Sequence, residues 1–188
     1  MGRVTAIQPI TTKNPKSTIR NAISQSRLIV NTGDGRYAWK YRVINDSVLR
    51  LNLSASDCQG PAFEFTEELR DALWPAFFEI QKRSDREPVN LQLPDGQTAR
   101  IPLDFLGEGH WGTKGSPEFW QWFQSLIAQP NDALLFRVLD GEARVYAVEF
   151  QPHSARDESA IAARNQQIAQ ATLDYFRRTV SGAALWDI

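Results

Sequence analysis

Between Arg27 and Ser54 apolar and polar positions alternate with the period of two that belongs to strands. RLIVN (27–31), RYAWKYRVI (36–44) and VLRLNLS (48–54) each read as a strand, and TGDG (32–35) and NDS (45–47) supply turn chemistry between them. In the middle segment Tyr37, Trp39, Tyr41 and Val43 fall on one face, with Ala38, Lys40 and Arg42 on the other. Upstream, Asn14-Pro15 opens a short helix, Asn as its cap and Pro at its first position, and Ile19, Ala22 and Ile23 share one face. Downstream, SASDCQG (54–60) reads as a loop and PAFEF as a strand. TEELRDALW is a helix capped by Thr66 and stopped at Pro75.

The second half repeats the alternation of hairpins and helices. AFFEIQ (76–81) reads as a further strand and KRSDRE (82–87) as a solvated connector. VNLQL (89–93), a Pro94-Asp95-Gly96 turn and QTARIPLDF (97–105) make a hairpin. Ser116, Pro117 and Glu118 start a helix expected to reach about Ala128. Its stripe of Phe119, Trp122, Phe123, Leu126 and Ile127 has the spacing of a buried face, with Trp120 at the edge. ALLFRVL and RVYAVEF flank an Asp140-Gly141 turn. From Ser154 to Thr179 the chain reads as helix throughout, with Ile161, Ile168, Thr172 and Phe176 on one face and Gly182 as a stop. Many short strands interrupted by brief helices predict a barrel-like or α+β fold, not a βαβ one.

Composition changes this picture little. A chain of 188 residues with 42% apolar and 23% charged side chains suits one core of ordinary size and argues against global disorder. Cys58 stands alone, which leaves no internal disulfide and fits a reducing, cytoplasmic setting. No run approaches the roughly 18 apolar residues of a membrane helix, and the first residues lack the apolar stretch of a secretory signal. The sequons at Asn45 and Asn52 then read as chance matches. The apolar ending GAALWDI would suit a chain cut from a longer protein.

Charge is more informative. Net charge is −1, yet residues 1–50 hold nine Lys/Arg against two Asp, whereas residues 51–110 hold five basic against eleven acidic side chains. A basic end on a neutral chain is the footprint of a polyanion partner or an ordinary solvated surface.

Candidate chemistry is sparse. Neither a phosphate-binding Gly-rich loop nor an H-E-x-x-H pattern occurs, and two histidines, His110 and His153, are too few for a His-rich metal site. Cys58 has no basic neighbour in sequence to lower its pKa, and Asp104 and Glu108 do not make a working carboxylate pair. No cofactor, metal or catalytic role is therefore expected. What stands out is GHWGTKGSPEFWQWFQSL (109–126). It divides at Ser116 into an aromatic helix suited to packing and a Gly-flanked segment with His110, Trp111, Thr113 and Lys114, in which Trp111 is expected to be half exposed.

From about 48 to 150 the order of elements resembles the plant-type B-three DNA-binding domain and the recognition domains of certain type II restriction endonucleases. VLRLNLSASD is similar to the first strand and its ending, PAFEFTEELRDAL to the second strand and first helix, and VNLQLPDGQTARIPLDF to the central hairpin. HWGTKGSPEFWQWFQSLIAQPNDALLFRVLDG is similar to the family's Gly/Trp segment and aromatic helix, with Asn131-Asp132 in place of a Gly-Asp turn. The resemblance implies a mainly β, α+β fold: a seven-stranded open pseudobarrel with two end helices, plus an N-terminal extension and a long C-terminal helix. The corresponding division is 1–35, 36–152 and 153–188.

The resemblance also implies double-stranded DNA gripped by two arms in the major groove. An N-arm over 54–60 would offer Ser54, Ser56, Asp57 and Gln59, and a C-arm over 107–115 would offer Glu108, His110, Thr113 and Lys114. Trp111 lies in the same segment. Lys40, Arg42 and Arg50, with Arg36, are near enough in sequence to serve phosphates. The expected function is a non-catalytic, sequence-reading DNA-binding domain. The alternatives are a protein-interaction or structural domain, with a homodimer or partner held through the C-terminal helix, and an enzyme handling a modified base beside His110, Trp111 and Lys114.

Overall fold

A computed structural model describes residues 14–33, 36–75 and 87–178. The chain divides after Pro152 into two compact units. The first carries, in order, α1 (Pro15–Gln25), β1 (Ile29–Gly33), β2 (Arg36–Trp39), α2 (Lys40–Val43), β3 (Val48–Asn52), α3 (Ala55–Gln59), β4 (Phe63–Glu64) and α4 (Glu67–Leu73). It continues with β5 (Val89–Gln92), β6 (Thr98–Ile101), β7 (Asp104–Gly107), β8 (His110–Thr113), α5 (Pro117–Gln124), β9 (Ala133–Asp140) and β10 (Val145–Gln151). The second unit holds a 3-10 turn, His153–Ala155, and α6 (Glu158–Arg178).

The fold is α+β. The described strands form three sheets, none closed into a barrel: β1-β2, then β3-β9-β10-β5-β6, then β4-β8-β7. The longest strand, β9, lies between β3 and β10 with antiparallel pairing on both sides, and β10 runs parallel to β5. Alternation along β9 buries Leu134, Phe136 and Val138, while Arg137 and Leu139 face out. Leu51, Val89, Leu91, Ala99, Ile101, Tyr146 and Val148 join them from the neighbouring strands. Helices α4 and α5 close on this core with Leu69, Leu73, Phe119, Trp122 and Phe123, and Trp74 beyond α4 is fully buried with its indole N–H donated to the Glu87 carbonyl at 2.9 Å. Burial of side chains of this size supplies about 1.5–3 kcal/mol each before entropy is counted.

The caps read from the sequence form as hydrogen bonds. Asn14, Thr66 and Ser116 accept from the backbone N–H three residues on, at 3.2, 3.3 and 3.4 Å. Elsewhere local pattern and tertiary packing part company. Residues 36–44 do not form one strand. β2 ends at Trp39 and α2 takes over, because Tyr41 must turn inward, where its backbone passes so close to Gly141 that a Cβ there would lie 2.3 Å from the Tyr41 oxygen. Lys40 and Arg42 are therefore not strand residues opposite the aromatics. Residues 54–60 are not a plain loop but contain α3, closed by a capping box between Ser54 and Asp57.

Residues 97–105 break at Pro102-Leu103, so β6 and β7 belong to different sheets. The segment 107–115 is largely the β7–β8 hairpin. α5 ends at Gln124, short of Ala128, and Ile127 leaves the buried stripe: it is 81% exposed at φ 52°, in the left-handed region where a β-branched residue is strained. The C-terminal helix begins at Glu158 instead of Ser154. The expected strand at 76–81, the connector at 82–86, the turn at 34–35, the N-terminal cations Arg3 and Lys13 and the tail from Thr179 lie outside the described residues.

Two substitutions test these contacts by urea unfolding. Gly112→Ala would set a Cβ 1.9 Å from the Phe63 oxygen and is expected to cost about 3 kcal/mol by forcing β4 and β8 apart. Ile127→Gly relieves the left-handed strain and is expected to raise stability by about 1 kcal/mol. An unchanged midpoint in either variant would count against the corresponding contact.

Candidate nucleic-acid interface

The two expected arms meet through β4. Asp57, buried at the heart of α3, accepts from the Ser54 N–H at 2.8 Å and the Ser54 hydroxyl at 2.6 Å through one oxygen. Its other oxygen accepts from the Glu64 N–H at 3.3 Å. Glu64 pairs with Gly112 across the sheet, and its carboxylate bonds to the His110 ring at Nδ1. Asp57 is thus spent on holding the N-arm to β4 and is not available to a base. Ser54 is the cap of α3, and Ser56 stays exposed with its hydroxyl 2.8 Å from that of Ser54. Gln59 is exposed at the end of the same helix.

The C-arm offers less surface than the sequence suggests. Trp111, expected to be half exposed, is 6% exposed, and Thr113 is buried with its hydroxyl accepting from the Gly115 N–H at 2.9 Å. The reason is register: β8 is the middle strand of its sheet, flanked by β4 and β7, so neither residue is left in a loop. Trp111 instead packs on Phe105, with ring centroids 5.1 Å apart. His110 and Lys114 remain outside. Lys114 donates its backbone N–H to Asp104 at 2.8 Å, and its carbonyl accepts from the Trp120 indole. Glu64 of β4 bonds His110, Asp104 accepts from the Lys114 N–H, and Glu108 lies in the β7–β8 turn, so carboxylates outnumber Lys and Arg along the hairpin and β4.

The more distant cations are distributed differently. Lys40 is half-buried; burial lowers its pKa, Asp71 opposing and Arg27 adding to the effect. Arg27 bonds Asp71 and lies 4.0 Å from Glu67, tying the start of the β1–β2 ribbon to α4. Arg42 is exposed and 3.7 Å from Glu142, a spacing at which surface pairs contribute little. Arg50 extends along the outer sheet face to Gln151. Only the elements from α1 to α2 carry a clear excess: Lys16, Arg20, Arg27, Arg36, Lys40 and Arg42 stand in residues 14–44, where Asp34 is the single acid. Lys16, Arg20 and Arg36 make no ion pair with any described residue.

Sequence reasoning saw that charge bias but missed the surface it makes. A cavity of about 590 Å³ lies between α1 and β2, lined by Asn14, Lys16, Ser17, Ile19, Arg20, Ile23 and Tyr37. Tyr37 and Trp39, two apart on β2, are 46% and 42% exposed. The signal available beforehand was the acid-free α1 sequence PKSTIRNAISQ beside an aromatic strand. A second cleft of about 610 Å³ runs between the end of α3 and α5, from Gln59 to Trp120, Phe123 and Ile127, with no charged side chain among its described lining residues. Cys58 lines it; burial, then Asp57 and Asp132, push its thiol pKa up, opposite to what a nucleophile requires. Among the described residues no group of three or more His, Cys, Asp or Glu is arranged to hold a metal, and no described helix is long and apolar enough to cross a membrane.

No known family's sequence profile matches the chain, and no curated protein matches it. Among solved structures it is similar to a hypothetical protein of Arabidopsis thaliana, with 14% identity, 60% of this chain and 98% of that one covered, and a TM-score of 0.34.

The Asp71 carboxyl gives a pH test of the ribbon's anchor. Burial raises its pKa, outweighing the lowering by Arg27, Lys40 and Arg70. A carboxyl raised on folding binds its proton more tightly in the native state. Its contribution to stability is therefore greatest below the unfolded value of 3.8 and declines as pH rises through the raised native value. Urea unfolding of the wild type and Asp71→Asn should show the wild type losing ground to the variant between about pH 4 and neutrality. A constant difference across that range would contradict the assignment.

Proposed function

We propose that this chain is a double-stranded DNA-binding module whose phosphate contacts come chiefly from α1 and the β1–β2 ribbon. The carrying observation is the cleft between α1 and β2, where Lys16 and Arg20 stand beside the exposed Tyr37 with no acid among the described lining residues. Lys and Arg neutralise phosphates and release counterions, and a two-stranded ribbon is narrow enough for a major groove about 12 Å wide. Exposed aromatic rings among cations add stacking and cation–π contacts. Base reading then falls to Ser56, Gln59, His110 and Lys114, which are exposed on the two arms. Gln59 suits adenine through its amide and Lys114 suits guanine or phosphate.

One observation favours a protein partner instead: the Glu64 carboxylate bonds His110 and Asp104 accepts from the Lys114 N–H, and these carboxylates oppose a phosphate backbone there. The two readings part on salt dependence. Fluorescence anisotropy with a mixed-sequence duplex should show affinity falling by orders of magnitude between about 50 and 200 mM salt. The triple variant Lys16→Ala/Arg20→Ala/Arg36→Ala should reduce the slope by roughly 3, and Lys114→Ala by no more than about 1. Undetectable binding at low salt, or a triple variant that binds like the wild type, overturns the DNA reading.

A further inference from the structure

The cleft between α3 and α5 shares none of the cationic character of the α1–β2 surface. Its described walls combine two aromatic rings, Trp120 and Phe123, with Pro61, Ile127 and the amides of Gln59 and Gln124. Its volume of about 610 Å³ falls within the roughly 300–1,000 Å³ of sites that take small organic ligands. Trp120 is fixed from two sides: one face stacks on Phe63 with ring centroids 5.0 Å apart, and its indole N–H is donated to the Lys114 carbonyl. Phe123 meets it edge-on at 5.7 Å. The aromatic surface that these contacts leave uncovered is therefore a rigid wall. Gln59 and Gln124 are the last residues of α3 and α5; both are exposed, and neither amide bonds to a described residue.

We propose that this cleft binds a nucleobase, an uncharged planar ring with an amide-like edge, supplied by a free nucleoside or by a base displaced from its partner in a duplex. Charge narrows the ligand class. No described wall residue is basic and the cleft lies at the C-terminal end of α5, so a phosphate or carboxylate finds no cation there and stands at the negative end of the helix. No described wall residue is acidic either, so an ammonium group gains no partner. An aliphatic ligand would bury apolar area and leave both amides without partners. A nucleobase serves rings and amides together: its face stacks on the fixed aromatic wall, and its edge carries adjacent donors and acceptors that a Gln amide matches. Ile127 stands at the mouth, 81% exposed and held at φ 52°. Backbone strain of this kind clusters where it holds a side chain for a ligand, and here it sets an aliphatic group to cover a stacked ring. The nucleoside source is independent of the DNA reading. The duplex source rests on that reading, with Gln59 belonging to both the cleft and the N-arm.

Isothermal titration of the full chain with adenosine should show saturable binding, and ribose 5-phosphate, which lacks the base, should show none. Gln124→Ala and Ile127→Gly should each weaken adenosine binding about tenfold. In Ile127→Gly the loss should accompany a raised unfolding midpoint, which separates it from loss of fold. Gln121→Ala, exposed on α5 but outside the cleft, should bind as the wild type does. A duplex with 2-aminopurine opposite an abasic site should brighten on binding, and less so with Ile127→Gly. Adenosine binding together with that rise supports both sources, and adenosine binding without it supports the free nucleoside alone. No saturable binding at about 5 mM adenosine overturns the proposal. Equal binding of ribose 5-phosphate also overturns it, as does an affinity unchanged in both Gln124→Ala and Ile127→Gly. The titration contains no duplex, so its failure is distinct from failure of the DNA reading.

Discussion

Phe63 sits in a strand of only two residues, yet three aromatic rings of α5 close on it. Its ring meets Phe119 and Phe123 edge-on, at centroid distances of 5.4 and 4.8 Å, and stacks on Trp120 at 5.0 Å. Such contacts contribute about 0.5–1.5 kcal/mol each beyond burial. They hold β4 where it also pairs with β8, and that pairing requires the absence of a side chain at Gly112. The position of α3 before β4, of His110 beside it and of the cleft between α3 and α5 all follow from this one joint.

The same joint explains how much of the molecule was legible in the sequence. The caps at Asn14, Thr66 and Ser116 are local chemistry, and local chemistry is what residue order states openly. The α+β class, the hairpin from Val89 to Ile101, the β9–β10 hairpin and the buried stripe of α5 through Phe123 were legible for the same reason. The breaks were not. Alternation through residues 36–44 is a good strand pattern, and the inward turn at Tyr41 that makes α2 brings its backbone against the distant Gly141. Trp111 looked accessible because its neighbours are glycine and polar residues, while its burial depends on strands on both sides of β8.

The candidate site shows the limit more sharply. The candidate arm residues were identified one by one, but the Glu64 carboxylate that bonds His110 was not, since Glu64 comes from another strand than His110 and Lys114. Charge counting did find the basic end of the chain. It could not show that α1 and β2 enclose a cleft, because that depends on how the helix lies against the ribbon. The cationic side chains of α1 and the exposed polar side chains of the expected arms thus stand on different elements, joined through the core and not through a shared loop.

Among the described residues the β1–β2 ribbon is a sheet of two strands, tied to α4 through Arg27 and Asp71. Two-stranded sheets are marginal by themselves. Their hydrogen bonds open at a small fraction of the free energy needed to unfold β9 and its neighbours. The cationic run from α1 to α2 therefore rides partly on a sheet of two described strands. Any ligand that grips it also orders it, so part of the binding free energy is used in tightening the ribbon, and affinity there is coupled to local folding.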